Sequence, residues 1–365
     1  MGARLGSKAK QTVWPHRGDE KHTQELARGV FVRVPGNATM RVLVTGGTGF
    51  TGGHLCLRLV KDGCQVRTIA RRPEKAAHLT QAGVEVISGD ILDLGTALSA
   101  TKNTQKVYHL AALYRQERVS RRAFWDVNVI GTENVLKASL ANGVGRFIHC
   151  STVGVHGDVK HVPACEDTPY GPGDHYQESK MDGEKIALRY MEEGNIALTV
   201  FRPAGIYGPG DLRFLKLFRA LQKGTFWMIG SGNVFYHLTY IDDLIEGILL
   251  CGTKREAVGR TYILAGQEYV TLNTLVTLIS EALGVRPPRW RVPFWPVYAL
   301  SYACELICKP IGIEPPLYRR RVDFFRKNRA FDIAKAVREL DFRPKVTLQT
   351  GIRQTATWYK QNGYL

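Results

Sequence analysis

The sequence lacks any arrangement of cysteines that would indicate a disulfide framework or a zinc site. The seven cysteines are an odd number, and no two of them are spaced as CxxC. They stand at positions 56, 64, 150, 165, 251, 304 and 308. We therefore expect reduced thiols in a cytoplasmic protein, and we expect no metal site.

An apolar stretch of the kind that forms the core of a signal peptide is also missing from the first 39 residues. Met1 and Gly2 could begin a myristoylation site, but Gly6 stands where Ser or Thr is needed. The segment carries seven Lys/Arg against three Asp/Glu. We predict that residues 1–39 form a disordered basic tail; the alternative is that they come from an upstream start, since Met40 opens the first predicted strand.

Acidic residues are few relative to basic ones: 33 Asp and Glu stand against 50 Lys and Arg, and the net charge is +17. One basic cluster lies near the C-terminus and comprises Arg319, Arg320, Arg321, Arg326, Lys327 and Arg329. No recognised nucleic-acid motif accompanies this charge, so we expect no nucleic-acid partner. Attraction to an anionic substrate or to an anionic membrane surface explains the charge better.

The apolar content of 44% over 365 residues is enough for a large core. From Met40 onward, β-branched runs alternate with helical patterns, which predicts an α/β, doubly wound parallel Rossmann sheet over residues 40–204. The predicted strands are 41–45, 65–70, 84–88, 106–110, 146–151 and 197–202. The predicted helices include 123–141 and 176–193.

Helical patterns dominate the rest of the chain, at 214–223, 240–251, 271–283, 295–308 and 333–340. One more strand is predicted at 261–265. We therefore predict that 205–240 and 267–365 form a smaller, mostly helical substrate-binding lobe and that 241–266 returns to the Rossmann domain. The substrate cleft is expected between the two lobes.

The sequence TGGTGFTG follows the first predicted strand and opens a helix, which predicts a dinucleotide-binding loop rather than a simple tight turn. Gly46 allows the turn, Gly49 lets the backbone approach a pyrophosphate, and Gly52 lets the helix pack on the strand. Thr48 and Phe50 lie in the same loop and are further predicted cofactor contacts. The phosphates would sit at the positive N-terminus of the helix.

Residues at the ends of the next strands bear on which cofactor is bound. Arg71 follows the second strand and no acid is nearby, which favours the 2′-phosphate of NADP; if Arg71 is only part of a solvated basic turn, NAD remains the alternative. Asp90 and Ile91 follow the third strand, where Asp90 would meet the adenine amino group. Ala111 and Ala112 follow the fourth strand, where small side chains would let the cofactor lie close.

A catalytic pair is predicted at Tyr176 and Lys180, which are four residues apart and share one helix face. The unperturbed pKa of a tyrosine phenol is ~10, and a neighbouring ammonium lowers that pKa toward neutrality. Lys180 could also hold the nicotinamide ribose. A hydroxyl at the end of the fifth strand would orient the reacting oxygen. We choose Thr152 over Ser151 because alternation lets only one of them face the cleft; the alternative is a strand-end cap.

Together these motifs resemble the extended short-chain dehydrogenase/reductase superfamily, with its NAD-dependent epimerase/dehydratase and 3β-hydroxysteroid dehydrogenase-like members. The motifs are TGGTGFTG, GDILD, HLAA, NVIGTENVL, YQESK, RPAGIYGPG and YIDDL, in that order. The resemblance implies a Rossmann fold and a Tyr/Lys catalytic pair, and it places Pro203 at the cofactor. It also implies a homodimer paired through the fourth and fifth Rossmann helices.

Two departures from the sugar-epimerase pattern favour a reductase. Gly205 stands where those enzymes commonly have an Asn, and Tyr236 stands where they commonly have an Arg that grips the nucleotide diphosphate. Phosphate contacts could instead come from Arg213, Lys216 or Arg219. We predict hydride transfer between NAD(P) and a secondary alcohol or ketone of an apolar, sterol- or lipid-like substrate. The alternatives are a nucleotide-sugar 4-epimerase or dehydratase with tightly bound NAD, and a cofactor-binding regulator without catalysis.

The stretch 292–308 is aromatic and largely apolar. Spanning a bilayer takes ~20 apolar residues, and Pro293, Pro296 and Glu305 interrupt this stretch, so it is too short to span. An apolar helix flanked by basic residues could lie in a membrane interface, which predicts peripheral membrane contact. The alternative is a buried helix packed on the substrate lobe.

Overall fold

A computed structural model describes residues 39–114, 119–308, 317 and 319–365. The tail predicted at 1–39 therefore lies outside the described residues, except for Thr39. The strands are β1 (Arg41–Thr45), β2 (Gln65–Ala70), β3 (Glu85–Ser88), β4 (Lys106–His109), β5 (Arg146–Cys150), β6 (Leu198–Pro203), β7 (Gly205–Tyr207), β8 (Met228–Ile229), β9 (Phe235–Tyr240), β10 (Arg260–Leu264), β11 (Tyr269–Thr271) and β12 (Arg291–Val292).

The helices alternate with the strands in the first half of the chain. They are α1 (Phe50–Lys61), α2 (Ala77–Gln81), α3 (Leu94–Thr101), α4 (Arg121–Trp125), α5 (Gly131–Ala141), α6 (His175–Glu192), α7 (Leu215–Gln222), α8 (Ile241–Thr253), α9 (Leu272–Leu283), α10 (Phe294–Cys308), α11 (Arg319–Val322), α12 (Ala334–Leu340) and α13 (Leu348–Gln361).

Seven parallel strands form the central sheet in the order β10-β6-β5-β4-β1-β2-β3. The doubly wound Rossmann fold predicted from the sequence is confirmed, and all six predicted strands are present with ends within one residue of the prediction. The order reverses between β1 and β4, and this is where a doubly wound sheet binds its ligand, at the carboxyl ends of the strands.

Side chains of successive strand residues enter two cores on opposite faces of the sheet. Val42 and Val44 of β1 pack in one core and Leu43 in the other, and all three are completely buried. This alternation explains why apolar residues follow one another along the strands, because helices cover both faces of the sheet.

The helix predicted at 123–141 is interrupted by a π-helical turn, Asp126–Ile130, between α4 and α5. Thr132 donates its hydroxyl to the Asn128 carbonyl at 2.8 Å. A Cβ on Gly183 of α6 would collide with the same carbonyl, so α6 approaches the turn closely. The π turn thus lies directly against the helix that carries the predicted catalytic pair.

The residues predicted to form the substrate-binding lobe contain two small sheets in addition to their helices, β11-β9-β7 and β12-β8. We predicted neither sheet; four of their five strands have only two or three residues, too few to show a period of two, whereas β9 has six. β10 pairs with β6 at the edge of the Rossmann sheet. The division of the chain into two domains stays a prediction.

Candidate active site

The cofactor loop is closed in by neighbouring backbone. Gly46 has φ +77°, and a Cβ on it would lie 2.8 Å from the amide nitrogen of Ala111. A Cβ on Gly52 would lie 2.7 Å from the carbonyl carbon of Gly46. Only glycine fits at these two positions. The Ala111 amide also donates to the Thr45 hydroxyl at 3.2 Å, which holds the ends of β1 and β4 together.

The loop leaves the N-terminus of α1 open to an anion. Gly49 is the residue that precedes α1; no side chain caps the helix there, and its first turn contains no acidic residue. Thr48 and Gly49 are exposed, whereas Phe50 is half-buried. An open, positive helix end behind a glycine turn fits the pyrophosphate of a dinucleotide.

Arg71 and Asp90 lie together at the carboxyl ends of β2 and β3. The Arg71 Nε is 4.0 Å from Asp90 Oδ2, and the Arg71 side chain is largely exposed. Asp90 Oδ1 also accepts from the Leu92 amide at 3.1 Å, and Ile91 is buried beneath them. The carboxyl ends of β2 and β3 therefore carry a carboxylate suited to the adenine amino group and an arginine suited to a phosphate on the ribose.

The predicted catalytic pair lies on one buried face of α6. Asp174 caps the helix by accepting from the Gln177 amide at 2.9 Å, so Tyr176 falls in the first turn. Tyr176 and Lys180 are both buried. The Tyr176 ring packs edge-on against Tyr114 at a centroid distance of 5.1 Å and against Phe124 at 6.4 Å. Its surroundings are therefore strongly aromatic.

Lys180 reaches from α6 to the end of β5, an interior strand of the sheet. Its Nζ donates to the Cys150 carbonyl oxygen at 2.5 Å. Burial lowers the pKa of Lys180, and interactions with Cys150 and Glu184 oppose that effect. An ammonium held here can lower the pKa of a phenol one helical turn away.

The two hydroxyls after β5 have different environments. Ser151 is buried and donates to the Glu184 carboxylate. Thr152 is half-buried, and its Oγ1 accepts from the Gly154 amide at 3.0 Å, which caps a short 3₁₀ turn, Val153–His156. The Ser151 hydroxyl therefore points into the protein interior, toward Glu184. The choice of Thr152 as the orienting hydroxyl stays a prediction, and its capping bond matches the alternative that we also considered.

Three buried polar residues near the site were not assigned from the sequence. Asn128 donates to the Ser179 hydroxyl at 2.9 Å and accepts from the Leu113 amide at 2.8 Å. Glu184 and Arg202 form a buried ion pair. Asn128 lies within the NVIGTENVL motif and Arg202 within RPAGIYGPG, so their positions in motifs were the available signal. For Glu184, the only signal in the sequence was its spacing of four residues from Lys180.

The two departures from the epimerase pattern have distinct structural settings. A Cβ on Gly205 would lie 2.7 Å from a methyl group of Leu238, so an Asn there would need Leu238 to move. Tyr236 is buried and donates its hydroxyl to the Phe324 carbonyl. Arg329 donates to the same hydroxyl at 2.8 Å and stacks on the Tyr236 ring. An arginine from another segment therefore lies beside this position.

Comparison with known proteins places the chain in a family. The model of the "NAD dependent epimerase/dehydratase family" matches residues 42–265, more than half of the chain. The chain belongs to that family. Within this family, the chain is 30% identical to "3 beta-hydroxysteroid dehydrogenase/Delta 5-->4-isomerase" of Mycobacterium tuberculosis, over 87% of this chain and 90% of that protein.

Solved structures of similar proteins share the fold of this family member. The crystal structure of gox2253 has a TM-score of 0.75 and 28% identity, and the match covers 90% of this chain and all of that one. MoeE5 in complex with UDP-glucose and NAD has a TM-score of 0.70 and 25% identity over 88% and 99% of the two chains. The relatives therefore include both a steroid dehydrogenase and a protein that holds a nucleotide sugar.

Proposed function

We propose that the chain is an oxidoreductase that moves a hydride between NADP(H) and a secondary alcohol or ketone of an apolar substrate. The observation that carries the proposal is the buried arrangement on α6. Tyr176 lies among aromatic rings, and Lys180 is fixed to the end of β5 one turn away. In this proposal Tyr176 is the general acid/base, Lys180 lowers its pKa, and Thr152 orients the reacting oxygen.

The chemistry in the oxidation direction requires one proton acceptor in the protein. A bound nicotinamide would supply the acceptor for the hydride of the carbinol carbon. The Tyr176 phenolate takes the proton of the hydroxyl, so the C–O single bond becomes a carbonyl. The Lys180 ammonium favours the phenolate before the proton arrives, and the reverse sequence reduces a ketone.

The residues at the adenine end support NADP rather than NAD. Arg71 is a basic, largely exposed side chain directly after β2, the position at which an arginine would accommodate the 2′-phosphate of NADP. Gly46, Thr48, Gly49, Phe50 and Gly52 would hold the pyrophosphate, and Asp90 would hold the adenine. Pro203, at the end of β6, and Ala111 and Ala112, after β4, would lie along the nicotinamide half.

The surroundings of Tyr176 support an apolar substrate. Tyr114 and Phe124 pack against its ring, and sites lined by aromatic side chains are suited to apolar molecules. A 3β-hydroxysteroid is the first probe to use, because a relative of this chain is a 3 beta-hydroxysteroid dehydrogenase.

Tyr176→Phe tests the proposed role of the phenol. The variant should lose turnover of NADP⁺ with dehydroepiandrosterone by about 100-fold or more, because general acid/base catalysis contributes that much. NADPH titration followed by fluorescence should give nearly the parent dissociation constant. Tyr269→Phe, an exposed tyrosine on β11, is the matched control. Full activity in Tyr176→Phe would refute the assignment.

A nucleotide-sugar epimerase or dehydratase is the second candidate, because MoeE5 holds UDP-glucose and because Arg329 stacks on Tyr236 beside the position where epimerases carry a diphosphate-binding Arg. Such an enzyme retains NAD through its cycle. Denaturing the purified protein and identifying the released nucleotide separates the candidates: stoichiometric NAD, with conversion of UDP-glucose, would favour the epimerase. Weakly held NADP would favour the reductase.

We also propose peripheral contact between α10 and an anionic membrane surface. The outward face of α10 is apolar: Trp295 is 72% exposed, Leu300 59% and Ile307 67%. The two residues that α10 buries are polar, Ser301 and Glu305. Patches of this kind mark interaction sites.

The environment of α10 favours a lipid partner over a protein. Arg286 and Arg289, both exposed, precede the helix, and Trp290 beside them is 72% exposed. Basic and tryptophan side chains around an apolar face suit the headgroup region of an anionic bilayer. None of the helices in the described part of the chain is long and apolar enough to cross a membrane, so contact would be at the surface.

Flotation with phosphatidylcholine vesicles that contain phosphatidylserine tests the membrane proposal. The parent should float with the vesicles at low salt, and the double variant Trp295→Ser/Ile307→Ser should remain at the bottom of the gradient. Leu57→Ser, an exposed leucine on α1, is the matched control. A parent protein that never floats would refute the proposal, and concentration-dependent dimerisation lost in the double variant would assign the face to a second copy. The homodimer through the Rossmann helices stays a separate expectation.

A further inference from the structure

Glu184 shares the buried face of α6 with Tyr176 and Lys180 but has no part in the reaction proposed above. The three residues are four apart, so each lies one turn beyond the last. Glu184 is completely buried and Lys180 is 3% exposed. A charged carboxylate at such a place requires partners, because burial without them is strongly unfavourable.

The Glu184 carboxylate accepts hydrogen bonds from three different segments. Arg202, at the end of β6, donates through Nη2 to Oε1 at 2.5 Å and through Nε to both oxygens at 3.1 and 3.2 Å. Tyr170 donates its hydroxyl to Oε1 at 2.8 Å. Ser151, at the end of β5, donates to Oε2. The carboxylate is therefore fixed in place at the carboxyl edge of the sheet.

These bonds also connect the segments that carry the proposed catalytic groups. Ser151 directly precedes Thr152, and Arg202 directly precedes Pro203. Arg202 Nη1 donates to the Glu166 carbonyl at 2.7 Å, which ties the loop before α6 to the same point.

The charged and titratable groups that interact with Lys180 come from β4, β5 and α6. His109 of β4 and His149 of β5 are neutral at pH 7, because burial first and the Lys180 charge second lower the pKa of both. Cys150 is neutral as well, because burial raises the pKa of its thiol to about 11. Burial alone would raise the pKa of Glu184, but Arg202 and the hydrogen bonds hold it below its usual range. Glu184 is thus the anion among these groups at neutral pH.

We propose that Glu184 is a positioning residue for the reaction, and that its carboxylate, fixed by Arg202 and Ser151, is the buried counter-charge that keeps Lys180 an ammonium one turn from Tyr176. The inference rests on the proposed function of Tyr176 and Lys180. Without the carboxylate, Lys180 would lose its proton at a lower pH, and the charge that stabilises the Tyr176 phenolate would disappear with it.

The test follows Lys180 directly, in the protein without substrate or cofactor. Lysine labelled with ¹³C at Cε reports its own protonation by NMR, and the signal that Lys180→Met removes is assigned to Lys180. Glu184→Gln should lower the midpoint of the Lys180 titration by about one pH unit or more. Glu178→Gln, a half-buried carboxylate two residues from Lys180 that pairs with His175, is the matched control and should leave the midpoint unchanged.

Glu184→Gln leaves a buried arginine without its partner and risks misfolding. The double variant Glu184→Gln/Arg202→Met removes both charges, so it should lower the midpoint in the same direction but by less than Glu184→Gln, which leaves the Arg202 charge in place. An unchanged midpoint in a folded Glu184 variant would overturn the inference, whatever its activity. Conversely, a lowered midpoint together with full turnover in Tyr176→Phe would leave the effect of Glu184 on the Lys180 charge intact and refute the proposed reaction instead.

Discussion

Replacing Gly52 with alanine puts a methyl group against the backbone of the cofactor loop. The added Cβ would lie 2.7 Å from the carbonyl carbon of Gly46 and 3.0 Å from Cα of Gly47, both inside the 3.4 Å at which ordinary contact begins. Backbone atoms have no rotamers with which to relieve the contact. Gly46 is itself backed closely by Ala111, so α1 must move away from the loop.

The expected magnitude has two parts. Overpacking costs about 1–3 kcal/mol of the free energy of unfolding, and the alanine returns about 1 kcal/mol of helix propensity. The net loss of about 2 kcal/mol or less should leave the protein folded. Cofactor binding should suffer more, because a moved α1 misplaces amides that would donate to the pyrophosphate. One lost hydrogen bond to a charged group, about 1.5–3 kcal/mol, corresponds to about 10- to 100-fold weaker binding.

Urea denaturation and NADPH titration measure the two parts separately. Gly95→Ala on α3 is the matched control, because the nearest atoms to its added Cβ are the Asp93 carboxylate oxygens at 3.5 Å, an ordinary contact. The control should keep the parent affinity. A Gly52→Ala protein that binds NADPH as tightly as the parent would refute the assignment of this loop to the cofactor.

Two further predictions concern cofactor choice and pH. Arg71→Ala should weaken NADPH binding at least about 10-fold and leave NADH binding unchanged, with the exposed Lys75→Ala as control; equal losses for both nucleotides would contradict the 2′-phosphate role. Burial lowers the pKa of His109 to about 3 and that of His149 well below 6.5, so below pH 6.5 the unfolded chain binds protons that the folded chain does not. The free energy of unfolding should therefore fall with decreasing pH by about 1.4 kcal/mol per unit for each histidine. His149→Leu should remove one contribution in urea denaturation at pH 7 and pH 5, and an unchanged difference between the two pH values would contradict it.

The Rossmann sheet could be predicted from the sequence because its strands are continuous apolar runs separated by helices. The final helix, α13, was missed for a physical reason. Its buried face includes Gly351 and Thr355 as well as Leu348, Ile352 and Tyr359, so its apolar period is broken. Gly351 is needed there because a larger residue would collide with the Tyr207 ring.

Within the site, residue spacing in the sequence predicts which side chains share one helix face, but it does not predict contacts between residues on different strands and helices. Tyr176 and Lys180 share α6, so their spacing alone predicts that they face the same way. The carboxylate of Glu184 meets Ser151 and Arg202, residues 33 and 18 positions away, only because β5 and β6 are neighbours in the sheet. No local sequence pattern predicts these contacts.

Which face of α10 is buried could likewise not be predicted from the sequence. A helix that is apolar nearly all round has no stripe that shows which face turns inward. Glu305 decides it, since its carboxylate accepts from the Arg319 amide at 2.8 Å and from the Arg319 guanidinium at 3.1 Å. The ion pair holds the side of α10 that carries Glu305 inward, and Trp295, Leu300 and Ile307 lie on the outside.

The edge position of β10 has a consequence for how the chain acquires its structure. β6 ends at Pro203, and its neighbour β10 begins only at Arg260. The residues between them must therefore be synthesised before the sheet can be completed. A nascent chain that stops after residue 204 would present β6 as an open edge, a template for pairing with other chains. We expect such a truncation to aggregate.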